Sequence, residues 1–475
     1  MENRDISRNE LGGEEISRQY EYMARVRDFN AASGGTKLCY VETYGCQQNE
    51  ADSENLRGMA LEMGYGIADG PEGASLIVFN TCAVREHAEQ RVFGNIGALL
   101  KYKRRDPSIV IALTGCMAGE EHVAQRIKKS FPYVSIVADS RCLWKFPELL
   151  FGVLVNGKRE FAVGGSDVIA EGLPLHRNRA VKGWLPVMYG CDNFCSYCIV
   201  PYVRGRERSR KPESVEEQFR SMVGAGYRDI TLLGQNVNSY GKNSRESFET
   251  DFPRLLRRLD SIPGDYLIRF MTSHPKDAGD ELFDAMRDCS HVAPHLHLPF
   301  QSGSERILKL MNRGYTPEHY LELVRGIRER IPDIVLTSDV IVGFPGETEE
   351  DFVRTLELVE KVRFDALFTF IYSPRKGTRA AEMPNDTPAE EINRRFDRLV
   401  ELQNSISAEK HAAYEGKTLR VLVDGKAENK PDGWLSSRTD GGRLVVFEGS
   451  DELIGSFVLV KISGHTTWSL SGEPV

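Results

Sequence analysis

From Lys37 onward, short apolar runs alternate with segments whose apolar residues recur every three or four positions. That is the pattern of strands alternating with amphipathic helices in parallel α/β folds. The first runs are Leu38 to Thr43, Leu76 to Asn80 and Ile109 to Leu113. Between the last two, Val92, Phe93, Ile96, Leu99 and Leu100 share a helical face, which supplies the crossover that parallel strands require. Residues 37–150 therefore predict one α/β domain. Residues 1–36 are polar, mix both charges and end in Ser33-Gly34-Gly35. They predict a mobile leader with one helix near Ile16 to Val26.

A looser stretch with Gly164-Gly165-Ser166, residues 151–183, predicts an edge element and linker. Six more apolar runs follow: Leu185 to Met188, Ile230 to Leu233, Tyr266 to Met271, Leu296 to Leu298, Val335 to Val342 and Leu367 to Tyr372. Helical segments separate them, with start signals at Ser214 and Glu217, at Thr316 before Pro317, and at Thr348. Six βα units over 184–411 predict a partial (β/α)6 barrel. Beyond about Ala412 the runs shorten, alternate and break at Asp424-Gly425 and Ser463-Gly464, predicting a small β-barrel over 412–475.

Length and composition narrow the class. A chain of 475 residues holds two to four domains, and 41% apolar with 27% charged residues fits neither global disorder nor a membrane bundle. No apolar run reaches the roughly 18 residues of a membrane span. Residues 1–36 carry seven acidic residues and no apolar core, unlike a targeting segment, so the expected location is cytoplasmic. Nine cysteines, sparse and odd in number, suit metal-binding or reactive thiols in a reducing compartment. The net charge of −8 argues against a generic nucleic-acid coat. It is spread as −2 in residues 1–36, −2 in 412–475 and −4 between them, so any nucleic-acid contact is expected to be a small local site.

Cys191, Cys195 and Cys198 form a C-x3-C-x2-C run directly after a strand. Three thiolates on one loop can hold a 4Fe-4S cluster with one iron left open for a ligand. A structural zinc site is the alternative, but no nearby Cys or His supplies its fourth ligand. Cys46, Cys82 and Cys116 each closely follow a strand run, at intervals of 36 and 34 residues. Parallel strands end on one edge, where such sheets bind ligands, so these thiols can meet there as a second three-thiolate set. The alternative is three inert buried cysteines. Cys39, Cys142 and Cys289 lack this setting and are expected to pack inertly. His87, His122, His274, His291, His295 and His297 are expected to be hydrogen-bonded structural residues.

The Cys191 to Cys198 run, with Tyr197 before its last cysteine, resembles the signature of radical S-adenosylmethionine enzymes. Over residues 37–475 the layout resembles the methylthiotransferases: a three-cysteine domain, a radical domain and a C-terminal TRAM domain. Four segments resemble the branch of that family acting on dimethylallyladenosine in tRNA. They are Thr43-Tyr44-Gly45-Cys46-Gln47-Gln48-Asn49-Glu50-Ala51-Asp52-Ser53-Glu54, Asn80-Thr81-Cys82-Ala83-Val84-Arg85-Glu86, Val203-Arg204-Gly205-Arg206-Glu207-Arg208-Ser209-Arg210 and Leu233-Gly234-Gln235-Asn236-Val237-Asn238-Ser239-Tyr240. Gln48 departs from the usual Met.

The resemblance implies two 4Fe-4S clusters. Cys191, Cys195 and Cys198 would hold the one whose open iron chelates S-adenosylmethionine and, given an electron, yields a 5′-deoxyadenosyl radical, with Tyr197 near the adenine. Cys46, Cys82 and Cys116 would hold an auxiliary cluster carrying the sulfur to be inserted. One S-adenosylmethionine would methylate that sulfur and another would activate carbon 2 of N6-dimethylallyladenosine at position 37 of tRNA. The implied partners are a tRNA anticodon loop, a one-electron reductant such as a flavodoxin-type protein, and a sulfur donor, with no membrane. Other acceptors, threonylcarbamoyladenosine in tRNA or a ribosomal-protein aspartate, fit the segments less well. An iron–sulfur RNA-binding sensor without turnover is the non-enzymatic alternative.

Functional side chains of such barrels sit at the carboxyl ends of strands. Gln235, Asn236, Ser273, Gln301 and Asp339 hold those places and are candidate contacts to the cofactor, or else loop caps. Gly343-Phe344-Pro345-Gly346-Glu347 is expected to shape the same pocket. Arg204, Arg206, Arg208 and Arg210, beginning six residues after Cys198, are candidate RNA phosphate contacts. The run Lys101 to Arg105 is a weaker one.

Overall fold

The computed structural model describes residues 10–83, 86–177, 181–242 and 248–475. Val84 and Arg85 of the second quoted segment, and the His87 side chain, lie outside the described residues. Strands β1 (Leu38–Tyr44), β2 (Gly66–Ile67), β3 (Leu76–Thr81), β4 (Val110–Gly115), β5 (Ile136–Asp139) and β6 (Glu160–Ala162) form one sheet in the order β2-β1-β3-β4-β5-β6. Every pairing in it is parallel. All residues of β3 and β4 are buried, which is why both read as continuous apolar runs rather than alternating ones. β6 lies within the stretch read as edge element and linker, and it is the edge strand of this sheet.

The leader reading needs correction. Residues Gly13–Ala32 form a helix in which Met23 and Val26 are fully buried against Leu56, Met59 and Leu150. The buried Asn30 amide donates to the Met63 carbonyl at 2.9 Å. The apolar positions are few, but their spacing puts them on one face beside the buried Gln19 and Asn30.

β7 (Lys182–Pro186), β8 (Met188–Tyr189), β9 (Arg208–Ser209), β10 (Asp229–Leu233), β11 (Leu267–Phe270), β12 (His295–His297), β13 (Val335–Val342) and β14 (Ala366–Ile371) follow. β8 and β9 pair with each other; the other six make two parallel arcs, β7-β10-β11 and β12-β13-β14. The Ile268 N–H donates to the His291 carbonyl at 2.7 Å and the Ala293 N–H to the Ile268 carbonyl at 2.9 Å, joining the arcs into a half-barrel. Helix starts are capped where expected by Thr316, which accepts from the His319 N–H, and by Thr348 with Asp351 in a capping box. Ser214 is not a cap: the helix Pro212–Gly224 begins earlier because Pro212 takes the first helical position.

β15 (Thr418–Lys426), β16 (Trp434–Thr439), β17 (Leu444–Glu448), β18 (Phe457–His465) and β19 (Leu470–Pro474) close into a barrel in the order β15-β16-β17-β19-β18 around Val421, Leu435, Phe447 and Leu470. Closure leaves no free sheet edge. Its 439–443 turn is tied to the half-barrel. Arg269 of β11 donates to the Asp440 and Thr439 carbonyls at 2.6 and 3.1 Å, and Arg443 pairs with Asp365 before β14. Among the described residues no helix is long and apolar enough to cross a membrane.

Candidate functional site

Tyr44, Thr81 and Gly115 stand in register across β1, β3 and β4, so the residues that follow them leave the sheet at one edge. The Cys82 N–H donates to the Tyr44 carbonyl and the Cys116 N–H to the Thr81 carbonyl, both at 2.8 Å. Cys46 caps the helix Gln47–Glu62 that starts just after β1. Asn49 and Asn80 pin that helix start to the strand ends: the Asn49 amide donates to the Thr81 carbonyl at 3.1 Å and the Asn80 amide to the Asn49 carbonyl at 2.8 Å. Gly115 has φ +93°, and a Cβ there would lie 2.4 Å from the Thr81 carbonyl oxygen and from Asn80 Oδ1. Only glycine lets the strand end approach Cys116's neighbours this closely.

A hydrogen bond from Cys82 holds the Cys46 thiol below its ordinary pKa, whereas burial pushes Cys116 up to about 11. Three thiolates on one zinc ion would sit about 3.8 Å apart, from Zn–S bonds of about 2.3 Å. Among the described residues no three Cys, His, Asp or Glu side chains form a group that could hold one ion. A cubane binds each thiolate to a separate iron, so three thiols carried at one sheet edge suit it without meeting at a single ion.

The second set lies on the loop after β8. Cys191 and Cys195 are buried, and Cys198 is half-buried. The loop is fixed on both sides: Asn312 donates to the Phe194 carbonyl at 3.0 Å, and the Ser196 N–H to the Met311 carbonyl at 3.0 Å. Phe194 has φ +47°, an unusual left-handed state for a bulky residue that this bracing sustains. Arg313 Nη1 lies 3.5 Å from the Cys195 sulfur. Burial pushes the Cys191 and Cys198 thiols up to about 12. These thiols stay protonated at neutral pH unless a positive partner, such as bound iron, offsets the lost hydration.

Four of the five side chains assigned to cofactor from their strand-end places bury a polar atom with no hydrogen-bond partner: Gln235 Oε1, Asn236 Oδ1, Ser273 Oγ and Gln301 Oε1. They follow β10, β11 and β12, at the same ends of consecutive parallel strands. Unpartnered buried atoms also occur elsewhere in the described residues, but these four gather at one rim, where a bound polar ligand could pair with them. Thr272 and Gln301 both have φ +65°, backbone strain concentrated at that rim. Asp339, expected at a strand end, lies instead within β13, where its Oδ1 is 3.5 Å from His297 Nε2 and partly open. Tyr197 carries no orphan atom and packs against Ile307, Met311, Phe344 and Ala380.

Two residues were missed by sequence reasoning. His274, read as structural, adds an orphan at Nε2, while its Nδ1 accepts from the Lys276 N–H at 3.2 Å; burial first, then Arg313, keeps it neutral. Its place directly after Ser273 was the available signal. Arg313 had none, because only folding brings it to Cys195.

The RNA assignment of the basic run is corrected for three of its four arginines. Arg204, Arg208 and Arg210 are 5–6% exposed. Arg210 grips Glu171 at 2.6 and 2.8 Å and the Pro186 carbonyl at 2.7 Å. Arg208 donates to the Arg204 and Arg206 carbonyls at 3.0 and 3.1 Å. Arg204 donates to the Cys116 sulfur at 3.0 Å and to Asp52 at 2.9 Å. Only Arg206 is open, at 44%, beside Asp192 and over the Phe194 ring.

A three-thiol sheet edge, facing a half-barrel whose first loop carries three more thiols and whose rim carries orphaned polar atoms, defines a radical S-adenosylmethionine enzyme. Residues 185–359 match the Radical SAM superfamily, residues 38–139 the Uncharacterized protein family UPF0004 and residues 412–475 the TRAM domain. The tRNA-2-methylthio-N(6)-dimethylallyladenosine synthase of Acetivibrio thermocellus is 48% identical over 477 residues, covering 99% of each chain. That of Clostridium beijerinckii is 51% identical over 447 residues, 94% of this chain and 98% of the relative. The chain belongs to the tRNA-2-methylthio-N(6)-dimethylallyladenosine synthase family of radical methylthiotransferases. Among solved structures, the radical S-adenosylmethionine methyltransferase TsrM of Kitasatospora setae, with cobalamin and a [4Fe-4S] cluster bound, superposes with a TM-score of 0.54. It covers 73% of this chain and 74% of its own at 15% identity, a likeness of fold alone.

Proposed function

We propose that this chain methylthiolates carbon 2 of N6-dimethylallyladenosine at position 37 of tRNA. When bound, the two 4Fe-4S clusters and two molecules of S-adenosylmethionine supply the radical, the methyl group and the sulfur. Cys191, Cys195 and Cys198 hold one cluster, and Cys46, Cys82 and Cys116 hold the other. Gln235, Asn236, Ser273, His274 and Gln301 offer the cofactor hydrogen bonds their side chains otherwise lack, Asp339 adds an acceptor, and Tyr197 forms part of the apolar wall. The buried surroundings of the loop thiols exclude water from the reacting groups.

The observation that carries this reading is the ring of orphaned polar atoms at residues placed there from the sequence alone. Four amide and hydroxyl atoms at one rim can give a bound cofactor the hydrogen bonds that an apolar pocket could not. The small barrel carries a net charge of −2, and Arg206 is the one open arginine of the run, so the tRNA anticodon loop is held at a small site rather than by a broad basic face. The reaction draws on a one-electron reductant of the flavodoxin type and on a sulfur donor, in the cytoplasm. Mass spectrometry of tRNA nucleosides tests the reading. Cells lacking the protein should accumulate dimethylallyladenosine without its 2-methylthio form; an unchanged 2-methylthio form, or loss of the methylthio group from threonylcarbamoyladenosine instead, overturns it.

A further inference from the structure

One short segment touches both cysteine sets. The backbone N–H of Cys191 donates to the Gly205 carbonyl at 3.2 Å, and the residue before that glycine, Arg204, donates through Nε to the Cys116 sulfur at 3.0 Å. Between them, Ile199 and Val203 pack on Ala83 and Cys116, and the Val203 carbonyl accepts from Ser140 at 2.9 Å. Gly205 has φ +76°, and a Cβ there would lie 1.8 Å from Asp167 Oδ1, so this turn calls for glycine. Arg204 is 5% exposed, and its second nitrogen is fixed on Asp52, itself 6% exposed, at 2.9 Å.

We propose that Arg204 is a positioning residue that ties the radical loop to the auxiliary thiols and, through its buried charge, raises the reduction potential of the cluster they hold. The inference rests on the reading that Cys46, Cys82 and Cys116 hold a 4Fe-4S cluster. Three thiolates on an oxidised core carry a net charge of about −1, and Asp52 adds another negative charge beside it. Arg204 lies within hydrogen-bond reach of both Cys116 and Asp52. A one-electron reduction adds negative charge and no bond is made or broken, so a fixed neighbouring cation favours it. The Arg204 guanidinium bonds to Cys116 and Asp52 and, among the described residues, to none of Cys191, Cys195 and Cys198; at that other set Arg313 makes the comparable but longer contact, 3.5 Å to Cys195.

The test is a dithionite titration of the reconstituted full-length enzyme followed by electron paramagnetic resonance, with S-adenosylmethionine added to mark the signal of the radical set. Arg204→Gln should lower the auxiliary potential by at least a tenfold change in the reduction equilibrium, about 59 mV for one electron. Arg204→Lys, which keeps the charge, should recover most of that shift. The radical-set potential should stay unmoved in both. Asp52→Asn, which leaves Arg204 unopposed, should move the auxiliary potential upward and covers the case in which Arg204→Gln fails to retain its cluster. An unshifted potential in Arg204→Gln with full iron, an equal shift in Arg204→Lys, or a fall in Asp52→Asn overturns the proposal. Iron content reports separately on the underlying reading: about eight irons per chain support two clusters, and about four in the wild type contradict them.

Discussion

Ser273→Ala separates a residue kept for a ligand from one kept for the fold. Ser273 is 4% exposed and its hydroxyl has no partner, so the cofactor-free protein bears the desolvation of a polar group without a compensating bond. Such a group costs roughly 1–3 kcal/mol, and removing one oxygen leaves almost no cavity. Cofactor-free Ser273→Ala should therefore be more stable than wild type by about 1 kcal/mol, read as a higher urea midpoint at unchanged slope. The reconstituted variant should bind S-adenosylmethionine more weakly. One neutral hydrogen bond contributes about 1–1.5 kcal/mol, so the dissociation constant from calorimetry should rise about five- to twelvefold. A variant destabilised by more than about 1 kcal/mol, or one with wild-type affinity, would show that the hydroxyl serves the fold and would refute the orphan-ring argument.

Other perturbations test the frame that holds the site. Met23→Ala should cost about 2–4 kcal/mol in urea unfolding, because the N-terminal helix contributes to the core; a change under about 0.5 kcal/mol would mean that the helix is not docked. Arg443→Met leaves the buried Asp365 carboxylate with Lys410 and the Leu336 N–H but without its guanidinium partner, and the small barrel should be destabilised to denaturant by roughly 3 kcal/mol. Burial opposes ionisation of Asp351, yet Arg306, Ser304 and Thr348 outweigh it and hold the carboxyl below its ordinary range. A lowered native pKa stabilises above the unfolded value of about 3.9 and fades as pH falls. Asp351→Asn should thus lose roughly 1.5–3 kcal/mol at pH 7 and progressively less below pH about 4; a pH-independent difference contradicts this.

The thiols and strand-end polar residues were legible because parallel strands impose one geometry: whatever follows a strand lands on the same edge. Cys46, Cys82, Cys116, Gln235, Ser273 and Gln301 all follow that rule, and their spacing alone carries it. The basic run was misread because charge along the chain does not report burial. Arg204 finds Asp52 across 152 residues and Arg210 finds Glu171 across 39, contacts with no local trace. Only the structure shows that these guanidiniums are satisfied inside. The helix near Ile16 to Val26 was legible, but its docking was not, for a related reason. Two of its four buried side chains, Gln19 and Asn30, are polar, so the apolar stripe was too thin to show that the helix packs on the domain. His274 hid behind the usual expectation for a buried histidine, and its orphaned Nε2 emerges only once its other nitrogen is seen to be engaged.

The division of labour between the two cysteine sets is the central claim, and 5′-deoxyadenosine production by reduced, reconstituted variants tests it most directly. Cys46→Ala, Cys82→Ala and Cys116→Ala should keep S-adenosylmethionine cleavage largely intact while forming no methylthiolated nucleoside in tRNA. Cys191→Ala, Cys195→Ala and Cys198→Ala should lose cleavage altogether. Equal loss of 5′-deoxyadenosine in both sets would contradict the account.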